Sequence, residues 1–115
     1  MVIEWLKPGE LLVLGYVSGM VSIYNLGLQE ETEILNCGKE IERIYVLKNW
    51  PLEKLGVIAA VTESKTHFYH IESKTAQECI NIYGCCLDDH TGLAILLGEN
   101  KLFTMDTSYF ASDYT

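Results

Sequence analysis

The segment Leu11-Leu-Val-Leu-Gly-Tyr-Val17, Ser18-Gly19, Met20-Val-Ser-Ile-Tyr-Asn-Leu26 decides the fold. An apolar run is followed by a two-residue polar turn and a second run with partial alternation, which is the pattern of a β-hairpin. The unit recurs twice. Leu55–Thr62, Glu63-Ser64-Lys65 and Thr66–Ile71 repeat it, as do Leu93–Leu97, Gly98-Glu99-Asn100 and Lys101–Asp106. Self-similarity of this kind marks an architecture built from stacked supersecondary units.

Between the hairpins lie further β-like stretches: Thr32–Cys37 and Ile41–Leu47, then Thr75–Tyr83 and Cys85–Leu87. Gly38 and Gly84 stand at the junctions, where a residue free to adopt positive φ reverses the chain. Lys7-Pro8-Gly9, Asn49-Trp50-Pro51 and Asp88-Asp-His-Thr-Gly92 each precede a hairpin as loops. The order is therefore strand, loop, hairpin, strand, glycine turn, and then again. Pro51–Leu55 has the form of a single helical turn, since proline suits a first helical position. No segment sustains a helical period.

Aligned on their ends, the hairpins place Tyr24, Tyr69 and Met105 at one position and Asn25, His70 and Asp106 at the next, with spacings of 45 and 36 residues. These bracket the ~40–45 residues of a four-stranded propeller blade. Gly19-Met-Val-Ser-Ile-Tyr-Asn-Leu26 is similar to the turn glycine and closing apolar-Trp-Asp pattern of WD repeats. Asp88-Asp-His-Thr-Gly-Leu-Ala-Ile-Leu-Leu97 with Gly98-Glu-Asn100 is similar to the loop and hairpin of the same repeats. The chain thus resembles divergent repeats of the WD-repeat β-propeller family over nearly its whole length. Tyr24, Tyr69 and Met105 replace the family's tryptophan, its aspartate persists as Asp106, and its Gly-His pairs fall at Gly38-Lys39 and Gly84-Cys85. The resemblance implies an all-β fold of antiparallel four-stranded blades, with units at about 1–37, 38–83 and 84–115. It also implies membership in multiprotein complexes. A β-sandwich, with short strands and frequent turns, is the alternative.

Two and a half to three blades are fewer than the roughly four to eight that close a propeller. A partial ring exposes apolar faces and strand edges. The expectation is a segment completed by the remaining blades, whether on another chain or in a longer form of this one, or a segment that self-assembles.

Sixteen acidic residues against eight basic give a net charge of −8 in 115 residues. That excludes a protein that grips nucleic-acid phosphates with clustered Lys and Arg, and equally a polybasic membrane anchor. Glu4 and Pro8 do not suit a secretory signal. The longest apolar run, Leu11–Val17, is far short of the roughly 20 residues of a membrane helix. Cys37, Cys79, Cys85 and Cys86 show no framework spacing and are read as reduced thiols of an intracellular protein, cytoplasmic or nuclear.

Cys79, Cys85, Cys86 and His90, with His67 and His70 before them, are the candidates for a metal site. Zinc needs convergent ligands, and adjacent residues of a strand point to opposite faces. The thiols are therefore read as small hydrophobes, with no metal or other cofactor. Asp88-Asp89-His90 is the alternative of another class, a ligand-binding or catalytic loop, but its composition is that of a solvated turn. The protein is expected to be non-enzymatic. Glu30-Glu31-Thr32-Glu33, continuing to Glu40 and Glu42, reads as a solvated outer edge or, more sharply, as a docking patch for a basic partner. Arg43 is expected to pair locally, with Glu40, Glu42 or Tyr45. Trp5 and Trp50 are expected to plug core between strands, with protein contact the sharper reading at Trp50. Tyr109 and Phe110, beyond the last periodic strand, either begin another strand or form a docking tail. Trp50, Glu30, Glu31, Glu33, Tyr109 and Phe110 are the candidate protein-contact residues of an interaction scaffold.

Overall fold

The computed structural model describes residues 1–49, 54–71, 73–80, 84–88, 93–98, 100 and 102–106. Among these the chain is all-β, with no helix. Eleven strands follow in order: β1 (Val2–Lys7), β2 (Leu11–Gly15), β3 (Met20–Asn25), β4 (Glu30–Asn36), β5 (Arg43–Asn49), β6 (Lys54–Val61), β7 (Lys65–His70), β8 (Thr75–Ile80), β9 (Gly84–Asp88), β10 (Leu93–Leu97) and β11 (Leu102–Asp106). They form three antiparallel sheets, each in chain order: β1-β2-β3-β4, β5-β6-β7-β8 and β9-β10-β11. Each sheet is thus a meander in which every strand pairs with its chain neighbour.

The three hairpins read from the sequence are β2–β3, β6–β7 and β10–β11. In the first, the Gly19 amide donates to the Tyr16 carbonyl at 3.0 Å and Gly19 adopts a φ of 96°, which a side chain would resist. In the second, the Thr62 amide donates to the Lys65 carbonyl at 2.9 Å, while the Thr62 hydroxyl accepts from the Lys65 amide at 3.2 Å. Three local expectations fail. Gly84 begins β9 without a positive φ, because the register places it opposite Leu97 at a strand end and not in a turn. Lys54 and Leu55 belong to β6, where the apolar run from Val57 to Val61 recruits them into the sheet. Asp88 likewise closes β9 opposite Leu93 and is not loop.

The backbones of neighbouring sheets come closest at their first strands, β1 against β5 and β5 against β9, with β2 also near β5. Directly paired residues share a face. On the middle sheet, Ile44, Ile58, Ala60 and Tyr69 share what we term the front face, and they form one cluster with Leu6, Val13 and Val21 of the first sheet. The back face carries Leu47, Val57, Ala59, Val61 and Phe68, all buried. Burial on both faces accounts for the unbroken apolar run of β6, since a strand with no solvent side has no need of alternation. The first sheet and the connector that leads from β4 to β5 meet at close range. A Cβ on Gly15 would lie 2.6 Å from Ile41 Cγ2, and one on Gly19 would lie 2.6 Å from the Gly38 amide nitrogen.

Candidate protein-contact surface

The register builds the first sheet's front face as two rows that cross all four strands. One row is Ile3, Leu14, Ser22 and Glu33; the other is Trp5, Leu12, Tyr24 and Glu31. Each row runs from apolar on β1 and β2 to acidic on β4. The apolar half is open: Ile3 is 55 % and Trp5 45 % exposed, and Leu12 and Leu14 are half-buried. The third sheet presents a second open apolar face. Alternation along β10 separates buried Leu96 from Ile95 and Leu97, which are exposed together with Leu102, the partner of Leu97.

Trp5 does not plug the core. The bulge between Trp5 and Lys7 turns Leu6 inward instead, where it is fully buried. Glu30, Glu31 and Glu33 lie exposed on β4, the outer edge of the first sheet, so the acidic run does form a solvated edge. Glu31 has more to do than carry charge. Its Oε2 accepts hydrogen bonds from the Ser22 and Tyr16 hydroxyls, both at 2.5 Å. Those two donors, Ser22 foremost, hold the Glu31 carboxyl below the usual carboxylate range, and the same bond raises the Tyr16 phenol. Among the described residues the ion pairs Lys7–Glu10, Lys39–Glu63 and Lys65–Glu78 all lie elsewhere, leaving the β4 carboxylates unneutralised.

Arg43 Nη1 donates to the Tyr45 hydroxyl at 3.3 Å, and its guanidinium lies 5.9 Å from that ring's centroid, a local contact as anticipated. Cys37 is half-buried, and burial, aided by the Glu78 charge, pushes its thiol up to about 11, the opposite of what a nucleophile needs. His70 is buried on the back face of the middle sheet. Burial lowers its pKa, with the Gln77 amide pulling the other way. Among the described residues no group of three His, Cys, Asp or Glu is placed to hold a metal ion. Cys85 and Cys86 occupy successive positions of β9, opposite Leu96 and Ile95. Trp50, His90, Tyr109 and Phe110 lie outside the described residues. No described helix is long and apolar enough to cross a membrane.

Sequence reading alone missed Ile3, Leu12 and Leu14 on one open face and Ile95, Leu97 and Leu102 on the other. The signal that would find them is cross-strand register, which assigns faces only once the pairing is known. No protein-family model and no curated protein matches the chain.

Proposed function

We propose that this chain is a non-enzymatic protein–protein interaction scaffold, a WD-like propeller segment completed by or assembled with another chain inside the cell. The observation that carries this reading is the stacking mode. Successive meander sheets come closest along their first strands, while the outer faces of the first and third sheets carry open apolar residues. Closest approach along the first strands suits blades arranged about an axis better than two sheets held at even spacing over their full width. Open apolar faces of this kind mark interaction sites. Glu31 and Glu33 extend the first sheet's open face, and with Glu30 on the same edge strand they form an acidic border that steers partners carrying a basic surface. A rigid stack displays its loops and edges without performing chemistry.

The test is the mass and cross-link map of the protein recovered in its native complex. The expected result is a stoichiometric assembly in which β1, β2 or β10 is shielded from solvent labelling. A compact monomer of 13.0 kDa that leaves Trp5 and Leu97 solvated in its native setting would overturn the reading.

A further inference from the structure

We infer that the open face of the first sheet and the open face of the third sheet are two halves of one interface, and that a second copy of this chain joins them head to tail. This rests on the scaffold reading above and names the partner that fills its open faces. The chain already contains one joint of the required type. The back face of the first sheet, through Val13 and Val21, packs on the front face of the middle sheet, through Ile58, Ala60 and Tyr69. A joint therefore pairs one sheet's back with the next sheet's front.

Superposing registers shows what each end lacks. Tyr24 and Tyr69 are both penultimate in the third strand of their sheets, and their rows correspond. Trp5, Leu12 and Tyr24 in the first sheet stand where Val46, Ile58 and Tyr69 stand in the middle sheet. In the middle sheet that row is covered; in the first sheet the same row lies open. At the other end, Met105 is penultimate in β11 and pairs with Ala94; by that register buried Leu96, two residues on, lies on the third sheet's front, and exposed Ile95 and Leu97 lie on its back. The stack thus leaves one front and one back, both apolar. A second copy supplies each with the surface it lacks, by continuing the joint already formed inside the chain. Such contacts are heterologous and generate a closed ring when the rotation closes. Glu31 and Glu33 sit on β4, beyond the apolar half of the rows, where they flank the joint without entering it.

The experiment is sedimentation of the full chain and of two variants, one at each end: Trp5→Asp on the front face and Leu97→Asp on the back face. Both positions are exposed, so folding is retained, and circular dichroism checks it; Ile3→Asp and Leu102→Asp replace any variant that unfolds. The wild-type chain is expected to self-associate, and more strongly as salt rises, because salt screens repulsion between chains of net charge −8. Each variant alone is expected to lose association at least about tenfold. The decisive sample is their mixture, which keeps one intact front and one intact back and so stops at a single joint, giving a dimer and nothing larger. A monomeric wild type across the concentration series overturns the inference. So does an association abolished by Trp5→Asp and indifferent to Leu97→Asp, which would mean like faces pairing. Binding of a basic partner protein that weakens with salt, with no self-association, would also overturn it while leaving the scaffold reading standing. The scaffold reading falls separately, if the native protein engages no chain at all.

Discussion

The middle and first sheets are built to one plan and sit in different surroundings. In the middle sheet every residue from Val57 to Val61 is buried, alternate side chains lying on opposite faces. In the first sheet one face is covered, by way of Leu6, Val13 and Val21; on the other Ser22 alone is fully buried, and the equivalent of the buried Ile58–Tyr69 pair is the half-exposed Leu12–Tyr24 pair. The difference teaches that a blade-like sheet derives much of its stability from its neighbours on either side. An end sheet keeps an apolar face in reserve.

The largest effect should separate the two sheets directly. Ile58→Ala, in the doubly covered sheet, is expected to cost about 2–5 kcal/mol, whereas Ile3→Ala on the open face should stay within about 0.5 kcal/mol. Paired denaturant unfolding curves at concentrations where the chain is monomeric measure both, and equal losses there would mean that the open face is covered within the chain itself. Next come the glycines of the turns. Gly19→Ala forces a side chain into a positive φ and against the Gly38 backbone, at a cost of about 1–3 kcal/mol. Gly9→Ala has open space around its Cβ, so only the backbone strain at its φ of 79° remains, and thermal melts should rank it as the milder change.

A smaller effect concerns pH. Buried His70 has a lowered pKa, so between that value and the ordinary histidine value the unfolded chain binds more protons than the folded one. Its contribution is fully present above the unfolded pKa and is lost as pH falls through the window below it. The slope is at most about 1.4 kcal/mol per pH unit. Urea midpoints measured from pH 7.5 to 5 should show this loss in the wild type and less of it in His70→Leu. The smallest effect lies on the open sheet. Replacing Glu31 by Gln should bring the Tyr16 phenol down towards its ordinary value, read by ultraviolet titration, with little change in melting temperature. Glu31 and Glu78 both have lowered pKa values, so what they contribute is present above the ordinary carboxylate range and fades as acid protonates them.

Much of the fold was legible because local chemistry dictated it. Gly19, Ser18 and the triplet Glu63-Ser64-Lys65 announce turns wherever they stand, and the strands on either side are rich in β-branched residues. The acidic run Glu30–Glu33 was legible as an edge, since charge of one sign rarely enters a sheet's middle. Trp5 was misplaced because a one-residue bulge, invisible in the sequence, decides whether Trp5 or Leu6 turns inward. Gly84 was misplaced because glycine permits a turn without requiring one. The hold of Tyr16 and Ser22 on Glu31 joins residues 15 and 9 positions apart, and only the pairing of β3 with β4 brings them together.

Gly15 and Gly19 have a consequence for spacing as well as for stability. With no side chain at either point, Ile41 and Ile44 close on the first sheet at Gly15, and the β2–β3 turn at Gly19 closes on the connector backbone at Gly38 and Lys39. A methyl group at Gly15 would prise the first sheet away from Ile41 and Ile44. These two positions therefore act as a gauge that sets how near the first sheet lies to β5 and to the segment leading into it.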